Sequence, residues 1–163
     1  MSVYTVAMAN QTIVADATLV IIHTESTAGA KGSIIEILRC YANQIGTETS
    51  DQLGIIIGTK ASAFGTYTST TPNPQYLGGG ASGITGGTAG AESTAGTDAS
   101  AEGAGAVTVL IEEGFNNLNG YLWIPVPEER IVVPADTAII LKLVGTPGTL
   151  TGWCAGITYR ELT

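Results

Sequence analysis

Apolar and polar residues alternate with a period of two in short runs along most of the chain, and Gly, Asn, Pro or Ser separates one run from the next. A two-residue period sends successive side chains to opposite faces of an extended backbone, so these runs predict strands. They fall at residues 2–8, 12–23, 33–45, 53–60, 64–69, 107–112, 121–124, 130–133, 137–144 and 151–161. A helix over 33–44 competes, but the β-branched Ile34, Ile35 and Ile37 lower helix propensity and suit a strand with at least one buried face. This many strands must pack as two sheets or close into a barrel, and without helical crossovers their connections are antiparallel. The expectation is an all-β fold, an antiparallel, jelly-roll-like β-sandwich formed by a single domain over residues 1–163.

Residues 70–106 differ in kind. The stretch TTPNPQYLGGGASGITGGTAGAESTAGTDASAEGAGA is rich in Gly, Ala and Thr and holds few large apolar side chains, so it predicts one long loop inserted between strands. Loops of this length are uncommon in compact domains, which leaves two readings: a solvated flexible segment, or one ordered against another subunit. Tyr76, Leu77 and Ile84 are its candidate anchors.

Composition narrows the classes of function. Of 163 residues, 12% are charged, and 6 Lys+Arg against 14 Asp+Glu give a formal charge of −8. Phosphate backbones repel such a chain unless its cations cluster, and Lys31, Arg39, Lys60, Arg130, Lys142 and Arg160 are scattered, so no nucleic-acid partner is expected. The longest apolar runs, such as 19–22 and 55–57, are far too short to span a bilayer, and the opening residues lack the charged and apolar regions of a secretory signal. No membrane partner is expected, and synthesis in the cytoplasm is the default. Cys40 and Cys154 are too few for a disulfide framework and read as buried free thiols.

Candidate chemistry is sparse. His23 is the only histidine, a relay built on it needs its own orienting acid, and no G-x-S-x-G elbow is present. The adjacent pairs Glu112-Glu113 and Glu128-Glu129 suggest glycoside hydrolysis, but neighbouring strand residues point to opposite faces. The glycine runs at 78–80 and 86–87 lack the Lys-Ser/Thr ending of a phosphate loop, and Glu92, Asp98 and Glu102 do not have the spacing of a calcium-binding loop. The expectation is no enzyme, no cofactor and no metal. Tyr121, Trp123, Trp153 and Tyr159 read as core aromatics, with a sugar-stacking platform as the alternative.

The most distinctive stretch runs from residue 119 to 134, NGYLWIPVPEERIVVP, in which Pro125, Pro127 and Pro134 each remove a backbone donor and mark an edge or a corner. Arg130 lies close in sequence to Glu128 and Glu129 and can pair with one of them or with a neighbouring subunit. The candidate interface residues are Tyr76, Leu77, Ile84, Tyr121, Trp123, Glu128, Glu129 and Arg130, with the N-terminal strand and the 70–106 loop as the segments expected to supply contact.

FNNLNGYLWIPVPEERIVVP at 115–134, EILR at 36–39, TDASAEG at 97–103 and GITYRE at 156–161 together resemble small virion proteins of tailed bacteriophages, in particular capsid decoration or cement proteins. The likeness covers most of the chain beyond residue 30 and rests on structural motifs, with no catalytic set to carry over. It implies a homo-oligomer, expected to be a trimer, bound to the major capsid protein on the capsid exterior. A tail, filament or sheath subunit and a receptor-reading or carbohydrate-binding sandwich are the alternatives.

Overall fold

The computed structural model describes residues 2–46, 49–88 and 91–163. Its strands are β1 (Val3–Gln11), β2 (Thr18–His23), β3 (Ile35–Gln44), β4 (Gln52–Lys60), β5 (Thr66–Ser69), β6 (Asn73–Pro74), β7 (Thr85–Gly86), β8 (Thr94–Ala101), β9 (Val107–Asn116), β10 (Tyr121–Trp123), β11 (Val132–Val133), β12 (Ala138–Val144) and β13 (Trp153–Glu161). One sheet has the order β10-β3-β13-β1-β6, with β11 also on β3, and the other the order β5-β8-β2-β12-β4-β9, with β7 on β8.

The pairing has a simple logic. β1 pairs with β13, β2 with β12, β3 with β10 and β4 with β9, all antiparallel. The first strand thus meets the last, the second meets the last but one, and so on inward, as in one long hairpin rolled into two sheets. That is a jelly roll. Residues 61–106 sit at the tip of the rolled hairpin, between β4 and β9.

The main core lies between the sheets and includes Trp153, Tyr4, Tyr159, Ile35, Ile37, Ile55, Ile57, Leu141 and Leu143. All six residues of β2 are buried, because its second face is covered too: Ile21, Ala138 and Ile140 meet Tyr67, Ala99 and Phe64 in a smaller cluster. A strand covered on both faces has no need to alternate, which accounts for the run Leu19-Val-Ile-Ile22.

Several predicted boundaries shift. The run at 12–23 is a strand only from Thr18, since Asp16 takes a left-handed backbone conformation (φ 55°) that ends extended structure. β1 and β9 each run further than predicted, to Gln11 and Asn116. The segment 70–106, predicted as a loop, contains β8, a strand built from Thr, Ala, Gly, Asp and Ser that periodicity could not reveal. Its residues 89 and 90 lie outside the described residues.

That segment is also held by its own sandwich. Pro74 and Asn73 pair with Tyr4 and Thr5, Tyr4 donates from its hydroxyl to Gly80 O (3.0 Å), and the Tyr159 and Ser82 hydroxyls share a bond of 2.8 Å. The Glu161 carboxylate accepts from Ser82 Oγ (2.6 Å) and from Gly83 N (2.7 Å), and Ile84 drops into the main core. The insertion therefore packs on its own sandwich, β6 against β1 and β8 against β2.

Candidate interaction surface

The other side of the sandwich is open. Here Pro125 follows β10, and Val126 is held extended by the proline after it (φ −65°, ψ 157°). Pro127 then opens a 3-10 turn at Pro127–Glu129, where a missing N–H costs nothing. The chain rejoins β3 when Ile131 O accepts from Ile37 N (2.9 Å) and β11 pairs with Ile35 and Glu36. β10 and β11 are thus two halves of one edge strand, interrupted by a proline turn.

The alternation across this edge sorts its side chains. Tyr121 and Val133 are buried, and Trp123 and Ile131 are half-buried against the main core. Leu122, Ile124, Val126 and Val132 point outward and are 61%, 64%, 55% and 54% exposed. Fully burying side chains of this size contributes about 1.5–3 kcal/mol each, and the isolated chain forgoes most of that at four neighbouring positions. Glu128 and Glu129 are exposed on the turn, and neither faces a cation among the described residues.

Beside Leu122 lies a shallow cavity of about 290 Å³, lined also by Arg39, Tyr41, Asn43, Asn119, Gly120 and Tyr121. Tyr41 lies flat over Gly156, where a Cβ would come within 2.6 Å of its ring, and the Arg39 guanidinium stacks 4.9 Å from that ring's centre. Burial pushes the Tyr41 hydroxyl pKa up, an effect the Arg39 charge partly opposes. Lys31, Lys60, Arg130, Lys142 and Arg160 each have a carboxylate within ion-pair reach, whereas Arg39 has none among the described residues.

The structure divides the predicted interface residues among three places. Trp123, Glu128, Glu129 and Arg130 lie on the open edge. Arg130 pairs with Glu36 of β3 (3.7 Å), which also meets Arg160, and so not with its sequence neighbours Glu128 or Glu129. Tyr76 and Leu77 project from the opposite edge, just beyond β6, at 74% and 104% exposure. Ile84 and Tyr121 belong to the core, because both face inward where the insertion and β10 close over it. The N-terminal strand is likewise committed, held between β13 and β6.

The other candidates resolve as follows. His23 Nε2 is 3.3 Å from Asp136 Oδ1, and the ring packs on Phe64 with 5.0 Å between centroids. Glu112 and Glu113 are both exposed on β9, where Val109 and Leu110 are 46% exposed and Leu110 is the extra residue of a bulge. A bulge and adjacent charges of this kind discourage pairing with a stray strand. Glu92 binds Ser26, while Glu102 joins Thr18, Lys60 and Lys142, so these two acids serve different partners. Trp153 and Tyr159 are fully buried and Tyr121 nearly so, which removes three of the four aromatics from any sugar-stacking face. Cys40 is buried but Cys154 only half so, its Sγ accepting from Asn10 N (3.3 Å).

The exposed apolar set Leu122, Ile124, Val126 and Val132 was not singled out from the sequence. Its signal was available in YLWIPV, where Leu122 and Ile124 occupy the face opposite Tyr121 and Trp123. Comparison of the chain with protein-family models, with curated proteins and with solved structures finds no match.

Proposed function

We propose that this chain is a non-enzymatic structural subunit of a bacteriophage virion, a capsid decoration protein that self-associates, as a trimer, and adheres to the major capsid protein on the outside of the head. The observation that carries this reading is the open β10–β11 edge, where four large apolar side chains remain more than half exposed around an unpaired acidic turn. Contiguous exposed apolar surface on a folded domain marks a contact with another macromolecule. The same stretch carries the strongest part of the resemblance to virion proteins, and a jelly roll with a self-anchored insertion suits a part whose work is adhesion.

The mechanism is burial without turnover. Each contact adds apolar area shared between shell subunits, and that area resists separation under the pressure of packaged genome. Two measurements test it together: light scattering of the purified chain over a wide concentration range, and co-sedimentation with undecorated phage heads. A stable oligomer that sediments with heads and raises their thermal rupture temperature supports the reading. An oligomer or monomer that leaves heads untouched at micromolar concentration overturns the decoration role.

A further inference from the structure

Alternate residues of β3 point to opposite sides of its sheet. Cys40 and Ala42 face the main core, so Arg39, Tyr41 and Asn43 stand in a row on the outer face. Leu122 of β10 lies opposite Tyr41, and the turn between β9 and β10 brings Asn119 alongside. These side chains line the cavity of about 290 Å³ described above, close to the lower end of ordinary ligand sites at about 300–1,000 Å³.

Two glycines shape the cavity. Gly156, opposite Tyr41 on β13, leaves the space in which the Tyr41 ring lies. Gly120 at the rim takes a left-handed conformation (φ 72°) that glycine adopts without strain, and a Cβ there would press on Asn43 Cβ at 3.1 Å. Stacked on the seated ring, the Arg39 guanidinium keeps its N–H edge for a hydrogen-bonding partner. Burial raises the Tyr41 pKa, so its hydroxyl retains a proton to donate at neutral pH. Among the described residues, the side chains of Arg39, Tyr41, Asn43 and Asn119 make no hydrogen bond, and no carboxylate lines the cavity.

We propose that this cavity binds an acidic sugar, a hydroxyl-rich ring bearing one carboxylate. Arg39 donates to the carboxylate through parallel N–H bonds, the Asn43 and Asn119 amides and the Tyr41 hydroxyl bond the ring hydroxyls, and Leu122 covers a C–H surface of the ring. The division of polar groups favours that class. One guanidinium without a carboxylate answers one negative charge, while amides both donate and accept, as hydroxyls require. A polyanion such as nucleic acid would meet a net charge of −8 and the exposed Glu128 and Glu129 on the neighbouring turn. The site needs only the folded chain and goes beyond the decoration role.

The test is an NMR titration of the full chain with the methyl glycosides of glucuronic, galacturonic and N-acetylneuraminic acid at millimolar concentration. Methyl glucoside, acetate and inorganic phosphate serve as controls. At least one acidic glycoside is expected to shift the Tyr41, Asn43, Asn119 and Gly120 amide signals to saturation, binding roughly 10-fold or more tightly than every control. Arg39→Gln, at an exposed position and checked for folding by thermal melting, is expected to erase that preference. No shift with any acidic glycoside, or shifts confined to other residues, overturns the site. Equal binding of acetate or phosphate reduces it to an adventitious anion site and overturns the sugar, and full-strength binding by Arg39→Gln overturns the role of the guanidinium. Sugar binding by a chain that ignores phage heads leaves this inference standing while the decoration role falls, and head binding without sugar binding does the reverse.

Discussion

Tyr4 and Tyr159 face each other on paired strands with ring centroids 5.7 Å apart, and their hydroxyls grip the insertion two residues apart, at Gly80 and Ser82. The rings are fully buried, so core packing fixes the direction in which both hydroxyls point. Glu161, 3% exposed, completes the clamp on Ser82 and Gly83.

Glu161→Gln keeps the shape but removes the charge that strengthens two hydrogen bonds. A loss of about 1.5–3 kcal/mol in unfolding free energy is expected, with faster amide exchange at Gly83 and Ile84 and little change in the β2–β12 pair. Unchanged exchange at Gly83 would show that the carboxylate does not hold the insertion.

Lys60 is almost fully buried, its ammonium directed at the Glu102 carboxylate (3.4 Å) and at Glu102 O. Glu102→Gln leaves that ammonium without its nearest counter-charge. The Glu102 side chain is 29% exposed, so solvent screens the pair and the expected cost is about 1–3 kcal/mol. Adding Lys60→Met to Glu102→Gln is expected to cost less than the sum of the two single changes, measured by urea unfolding in a double-mutant cycle.

The two thiols differ in accessibility. Burial pushes the Cys40 thiol far above its ordinary pKa, while Cys154 is half-buried on the outer part of β13. A thiol reagent at pH 8 is expected to modify one equivalent in the native protein, abolished by Cys154→Ser, and two equivalents in denaturant. Rapid native labelling of Cys40 would contradict the core placement.

Acidification acts on the Ser93 anchor. The Ser93 hydroxyl, followed by the Thr27 amide, lowers the Glu25 carboxyl pKa to about 2. A depressed carboxylate stabilises above its ordinary pKa and loses that contribution as pH falls through its folded value, here from about pH 4.5 down through about pH 2. Exchange protection of the Thr27 amide is expected to decline over that window and to become independent of pH in Glu25→Gln.

Periodicity located the sandwich because its strands are short, β-branched and mostly alternating, and physics allows such segments little besides two packed sheets. It failed at β8, where Thr94-Ala-Gly-Thr-Asp-Ala-Ser-Ala101 has no large apolar residue and becomes a strand only because β2 and β5 offer hydrogen-bonding partners on both sides. It also could not assign Ile84 and Tyr121 to the core, since an apolar side chain in a loop or near an edge is equally at home in an interface.

Local composition and spacing alone thus determined the all-β class, most strand positions, the scattered cations and the unusual character of residues 70–106 and 119–134. The tertiary structure decided which edge the insertion seals, which side chains of the proline-rich edge strand face water, and that Arg130 answers Glu36 across the sheet. Those outcomes depend on partners far away in the chain. Burial and ion pairing are properties of what comes to lie alongside a residue, and strand pairing between the two ends of a rolled hairpin sets that neighbourhood.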